Sequence, residues 1–277
     1  MDIQVIILYC LTDDMLHGLG HSEPSQRSMS DAEVITTALV AMRLFGGNFA
    51  SARLYLESEG DVPKMLSKSQ FNRRLHRVAP KLKYLFLVLA RVHKTQSDED
   101  VYLVDSFPVP VCDNIRISQC KIYPLEATDG VYRGYTASKR RFFYGLKIHL
   151  IVTAEGYPIE AFLAPGAEHD AKALKRFDFD LPEGAVVYGD KAYNDYDFED
   201  LLEEAAEIDL LPLRKKNSRR AVPAYVEYLQ HTYRKRIETA GSNIEKKLPA
   251  SIHAVTAEGF ELKVFLFVLA LSFDGLI

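Results

Sequence analysis

Residues 101–107, VYLVDSF, form an apolar run that carries one acid, Asp105, and breaks on Pro108 and Pro110. Aromatic and β-branched residues in such a run read as a strand, and the prolines confine the next residues to an extended path at a sheet edge. Asp105 then ends the strand. A turn or cap is the ordinary use of such an aspartate, and presentation of a metal ligand is the other. The rest of the chain has to separate the two.

Upstream, residues 1–95 read as helical. In SMSDAEVITTALVAMRLF (28–45), Ser30 and Glu33 have the spacing of a capping box before an apolar run. SKSQFNRRLHRVAPKLKYLFLVLARVHK (67–94) comes next, with Ser67 or Ser69 as caps and apolar residues at helical spacing. Polar TQSDED (95–100) reads as a linker. Downstream, FFYGLKIHLIVTAEGYPIEAFLAPG (142–166) reads as a hairpin turning at AEGYP. HDAKALKRF (169–177) fits a helix capped by Asp170. AVVYGDKAY (185–193) is a short strand that stops at Gly189-Asp190, and DYDFEDLLEEAAE (195–207) is an acidic amphipathic helix. IDLLPL (208–213) is another strand, and a helix forms around RKRIETAGSNIEKK (234–247). This order predicts a mixed α/β fold, a sheet flanked by helices and preceded by a small all-α N-terminal domain.

The apolar fraction, 48%, and charged fraction, 26%, are those of a globular chain in water. VFLFVLALSF (264–273) is too short to span a bilayer and reads as a buried helix. No secretory signal is evident at the N-terminus, and the cysteines (Cys10, Cys112, Cys120) form no CxxC pair. Reduced thiols and a cytoplasmic location are therefore expected, with no membrane partner. The net charge of −4 hides a basic stripe: between Arg214 and Lys247 stand ten Lys/Arg against three acids. Such a stripe can hold phosphates.

Asp105, Asp190 and Glu238 are each ordinary alone. Together they put two acids at strand ends and a third on a helix beside the stripe. Strand ends of an α/β sheet are where sites form. Clustered carboxylates raise each other's pKa unless a cation neutralises them, and hard oxygen ligands suit magnesium or manganese. Two such ions can activate a water and stabilise the leaving oxygen of a phosphodiester. Acid cluster and basic patch point to metal-dependent phosphoryl transfer on a nucleic acid.

VDSFPVPVC (104–112), FFYGLKIHLIVTAEGYPIEAFLAPGAEHD (142–170), VVYGDKAYN (186–194) and RKRIETAGSNIEKK together resemble the DDE transposases of bacterial insertion sequences. Within them the insertion sequence 982-like group is the most similar. The resemblance implies a ribonuclease-H-like catalytic domain over 101–277, after a DNA-binding helical domain over 1–95. It also implies two divalent ions, Mg2+ or Mn2+, on Asp105, Asp190 and Glu238. The implied partners are double-stranded DNA (terminal inverted repeats and target) and a second copy of the chain. Related families carry tyrosine, arginine, glutamate and lysine around the helical acid. Here Arg234 and Glu238 keep the spacing of four, while His231 and Glu245 stand at the tyrosine and lysine positions. Glu245, nearly on the face of Glu238, competes with it as third ligand.

The candidates for DNA contact are Arg73 and Arg74 on the second long helix, Lys139, Arg140 and Arg141 before the hairpin, and Lys147 within it. Lys191, Arg214, Lys215, Lys216, Arg219, Arg220, Arg234 and Lys246 complete the set. His149 alternates with Lys147 and reads mainly as a core residue. A nuclease of the same fold without strand transfer, or a DNA-binding protein that has lost catalysis, are the rival readings.

Overall fold

In the computed structural model the strand at 101–107 runs on to Cys112 and Asp105 lies inside it, not at its end. The structure describes residues 2–128, 130–136, 140–214, 218–220, 222–249 and 251–277, and their side chains except those of 237, 238, 240, 241 and 243. The chain divides into two units, residues 1–89 with 247–277, and residues 90–246.

The first unit is helical. It contains α1 (Ile3–Gly18), α2 (Asp31–Leu44), α3 (Phe49–Ser58), most of α4 (Lys68–Gln96) and α9 (Ala257–Ser272). The capping box forms as expected: Ser30 Oγ accepts the Glu33 N–H at 3.0 Å, and Glu33 Oε2 accepts the Ser30 N–H at 2.6 Å. Residues 31–42, most of α2, are buried except Glu33, so the helix needs neighbours all round. It packs on α1, α3 and α9. The apolar C-terminal run is thus the buried helix expected, but it lies in the helical unit and not in the α/β unit. A helix without a polar face cannot announce which core it joins.

Asp31, at the start of α2 and only 3% exposed, is the hub of a charge network. Arg27 donates to its Oδ2 at 3.0 Å, His21 Nε2 lies 3.0 Å from the same oxygen, and the Arg74 guanidinium donates to Oδ1. Burial resists ionisation of Asp31, but the Arg74 and Arg27 charges and the hydrogen bonds to Arg74 and His21 prevail and hold its carboxyl below the usual range. Arg74 is therefore an internal counter-ion. The sequence reading as a DNA contact did not foresee this, because Asp31 lies on another helix. Arg73 beside it is exposed.

The second unit is α/β. Its sheet has the order β2 (Arg133–Thr136), β3 (Arg141–Thr153), β1 (Val101–Cys112), β5 (Val186–Gly189), β6 (Asp209–Pro212), and β4 (Pro158–Pro165) also pairs with β3. β3 is antiparallel to β1, while β5 runs parallel to β1 and β6 parallel to β5. This is the mixed sheet flanked by helices that the sequence predicts. α5 (Leu125–Thr128), α6 (Asp170–Leu174), α7 (Tyr196–Ala206) and α8 (Ala224–Lys247) complete the unit's α-helices. Tyr102, Val104, Ile151, Val187 and Leu210 join Phe177, Phe179 and Tyr193 in one buried cluster. Each such side chain contributes about 1.5–3 kcal/mol. Gly145 faces Pro110 across the β1–β3 ladder, and a Cβ there would stand 2.2 Å from Val109 O, so the close approach requires glycine.

Pro108 and Pro110 have the same strand parity as Ser106, whose N–H turns to the carboxylate of Asp105 at 2.7 Å. Their nitrogens therefore face the side that β5 has already left, where no ladder bond is lost. His149 is fully buried on β3, stacked on Phe162 with ring centroids 5.0 Å apart, and neither ring nitrogen has a hydrogen-bond partner. Burial pushes its pKa down to about 4. The unfolded chain takes up this proton below about 6.5 and the folded one only near 4, so stability falls as pH drops through that window. His149→Leu should remove this sensitivity and raise stability at pH 5 by about 2 kcal/mol relative to its effect at pH 7, measured by urea unfolding at both pH values.

Among the described residues no single helix is long and apolar enough to cross a membrane. All three cysteines are free thiols.

Candidate active site

The register of β1 and β5 assembles the site. The strands pair from Val101↔Val186 to Val104↔Gly189, so the next residue on each is Asp105 and Asp190. Gly189 permits this: a Cβ there would meet Val104 Cγ1 at 2.8 Å and Tyr193 Cδ2 at 3.3 Å. Asp190 then caps the short turn Lys191–Tyr193, accepting the Ala192 N–H at 2.7 Å.

The two acids titrate abnormally. Burial lifts the Asp105 carboxyl to about 7; the Ser106 N–H opposes this, and the charges of Asp190, Asp170 and Glu245 add to it. Burial also raises the Asp190 carboxyl, although the residue keeps an exposed edge; Asp170 adds to the rise, while Arg234 and Lys147 act against it. The pair is thus short of positive charge, which is the condition a divalent cation relieves. The donors are all hard oxygens, so the residues fit such an ion.

Asp170 belongs to the same place. It is the first residue of α6 and not its N-cap as read from the sequence; His169 holds that position, without a side-chain capping bond. Its Oδ1 instead accepts Ser106 Oγ–H at 3.0 Å and Lys147 Nζ at 3.0 Å. Lys147 also donates to Glu168 O at 3.0 Å. Strand alternation places Ser106, His149 and Lys147 on the face opposite Asp105. Asp170 therefore holds the residue whose backbone N–H anchors Asp105. Tyr193 closes this side: its phenol is buried beside Ser106, and burial raises its pKa well above normal, with the charges of Asp105 and Asp170 adding. The His-Asp pair before a short helix was the available sequence signal, and it reads equally well as a cap.

α8 is moored across the strand ends. The buried Gln230 amide donates to Pro212 O at 3.2 Å, and Tyr233 stacks on Tyr188 with centroids 4.6 Å apart and donates to Glu99 at 2.8 Å. Arg234 thereby acts on Asp190 and Glu245 on Asp105. Helical spacing puts position 238 within about 40° of both around the helix. The Glu238 side chain lies outside the described residues.

The basic candidates divide. Arg140, Arg141, Lys191, Arg219, Arg234 and Lys246 are exposed in this unit. Lys147 is turned inward to Asp170. Arg214 grips Glu199 with two bonds of 2.7 Å and Asn194 with one of 3.0 Å. Arg220 grips Asp200 at 2.7 and 2.6 Å and covers the Tyr196 ring. The acids that hold these two arginines come from α7, outside the basic 214–247 segment. Lys139, Lys215 and Lys216 lie outside the described residues.

Among the described residues, the group of three metal-type side chains with ligand atoms within 4.8 Å of one another is His21, Glu23 and Asp31. Its carboxylates are already neutralised by Arg27 and Arg74, so it serves as a charge network.

The family model described as the transposase DDE domain matches residues 95–253, more than half of the chain. Searches of curated proteins and of solved structures each gave no match. The matched segment contains Asp105, Asp170, Asp190 and all of α8. The chain belongs to the transposases that carry a DDE domain.

Proposed function

We propose that this transposase cuts DNA at the ends of an insertion sequence and joins them to a target, at a site built on Asp105 and Asp190. The observation that carries this reading is the β1–β5 register, which brings two cation-deficient carboxylates side by side, Asp105 half-buried and Asp190 at the exposed edge. Family membership supports DNA as substrate and a divalent metal as cofactor. Two Mg2+ or Mn2+ ions, membership of the insertion sequence 982-like group, a homodimer on paired ends and a cytoplasmic location extend that reading.

Asp105 and Asp190 hold the metal, and when bound it supplies Lewis acidity to the scissile phosphate and a low-pKa water. Glu238 is the third ligand we favour; Glu245, whose charge reaches Asp105, is its rival. Arg234 balances charge at Asp190. The exposed Arg140, Arg141, Lys191, Arg219 and Lys246 meet strand phosphates, so binding weakens steeply with salt. The test is cleavage and strand transfer on DNA carrying the inverted repeats that flank the gene, with Mg2+ or with chelator. Metal-dependent nicking and subsequent joining support transposition. Nicking without joining supports the nuclease, and binding alone the decayed copy.

Asp170 acts as a positioning residue. Asp170→Ala should lower cleavage about 10- to 100-fold and raise the Mg2+ concentration for half activity. Asp170→Asn keeps an acceptor for Ser106 and should recover most of it. Equal losses in the two variants would refute positioning through that hydrogen bond.

A further inference from the structure

The helical unit contains a cavity of about 650 Å³ between the first turns of α3 and α9 and the start of α4. The ionisable side chains that line it among the described residues are all basic: Arg53, Lys68, Lys263, His76 and His253. Its floor is apolar, formed by Phe49, Phe71, Leu75, Leu262 and Phe267. Lys263 has its ammonium 4.9 Å from the centre of the Phe49 ring, and Nζ donates to His253 O at 2.6 Å. Burial in this apolar setting lowers its pKa. Arg53 lies over Phe71, and its buried Nε has no hydrogen-bond partner.

Cations gathered around an apolar hollow without a carboxylate repel one another, and an entering anion relieves them. In a chain of net charge −4 such a gathering is not a by-product of composition. The volume suits a ligand of a few hundred Å³. Phenyl rings favour a planar apolar body, and the lysines and arginine favour an oxyanion group. A simple inorganic anion would leave the floor uncovered.

We propose that this cavity binds a phosphorylated nucleoside, free or as an unpaired residue of a DNA strand, with phosphate on its basic side chains and base on its phenyl floor. The cavity is lined by residues of the helical unit alone and does not depend on the chemistry of the α/β unit's carboxylates.

The full-length chain, kept in chelator, would be titrated with fluorescently labelled (dT)5 and, by calorimetry, with dTMP and inorganic phosphate. Lys263→Gln and Lys68→Gln should each weaken binding of the preferred probe five- to tenfold, and lower the salt slope for (dT)5 by about 0.7. Lys263→Arg should restore it, and Lys83→Gln, on the exposed side of α4, should change nothing. Tighter binding of (dT)5 than of dTMP identifies a strand residue, and the reverse a free nucleotide; both support the proposal. Wild-type affinity in folded Lys263→Gln and Lys68→Gln overturns it, as does inorganic phosphate binding as tightly as dTMP.

Discussion

Asp105→Asn should abolish metal-dependent cleavage and yet make the metal-free protein more stable. Both effects come from one carboxyl. Asp105 is half-buried and feels the charges of Asp190, Asp170 and Glu245, with the Ser106 backbone N–H donating to it, and desolvation raises its pKa to about 7. The unfolded chain loses this proton near 4. Because the folded pKa lies above the unfolded one, stability falls as pH rises from about 4 to 7, and the full penalty stands above 7. About three units correspond to on the order of 2–4 kcal/mol, allowing for relaxation around the charge. The asparagine variant escapes it. In chelator at pH 8 its melting temperature should exceed the wild type's by several degrees, and near pH 4 the difference should vanish. Added Mg2+ or Mn2+ should stabilise the wild type and not the variant, since binding to the folded state alone shifts the equilibrium. Loss of a ligand that helps supply several kcal/mol of transition-state stabilisation should lower cleavage on the order of 10³-fold. Asp190→Asn should lose cleavage similarly, and both should bind end DNA within about threefold of wild type, since phosphate contacts by other side chains dominate affinity. Undiminished cleavage by either variant would sink the site assignment.

Strands β1, β5 and β6, the β3–β4 hairpin and α7 were legible because period and turn residues are local signals, and VYLVDSF and AVVYGDKAY each carry their own, whereas β2, the four residues RGYT, carries no such pattern. The two aspartates could be chosen as candidates for the same reason. Their clustering was expected from strand ends of one sheet and from the family resemblance. The register that makes them neighbours was not legible, since it depends on parallel pairing of segments far apart in the chain, with Gly189 against Val104. Charge partners were legible only where they are near in sequence. Ser30 with Glu33 could be read; Lys147 with Asp170, and Arg214 with Glu199, could not. A basic residue in a sequence looks available for phosphate until folding supplies its acid. Asp170 shows the converse, because a helix-start aspartate has a local explanation that conceals a tertiary one.

Arg74 gives the sharpest test of that distinction. Arg73 and Arg74 are neighbours on α4 and look equivalent as DNA contacts, yet Arg73 is exposed and the Arg74 guanidinium donates to buried Asp31 and, at 3.3 Å, to Met29 O. Arg74→Met preserves the stem but removes one of the cations that keep Asp31 ionised while 3% exposed. Breaking one side of a buried ion pair leaves an uncompensated charge, at about 3–5 kcal/mol. Arg27 and His21 still face Asp31, which puts the expected loss at the lower end, about 3 kcal/mol. The acid limb should change as well. The depressed carboxyl of Asp31 contributes stability above its unfolded pKa near 4, and this is lost as pH falls through its lower folded value. With Arg74 absent that contribution shrinks, so the destabilisation should be largest at neutral pH and smaller near pH 3. Arg73→Gln should leave urea unfolding within about 0.5 kcal/mol of wild type, as an exposed substitution does. If it weakens DNA binding while Arg74→Met at a temperature where it stays folded does not, one arginine of the pair faces the ligand and the other holds the fold. Equal stability of Arg74→Met and wild type at pH 7 would refute the counter-ion role.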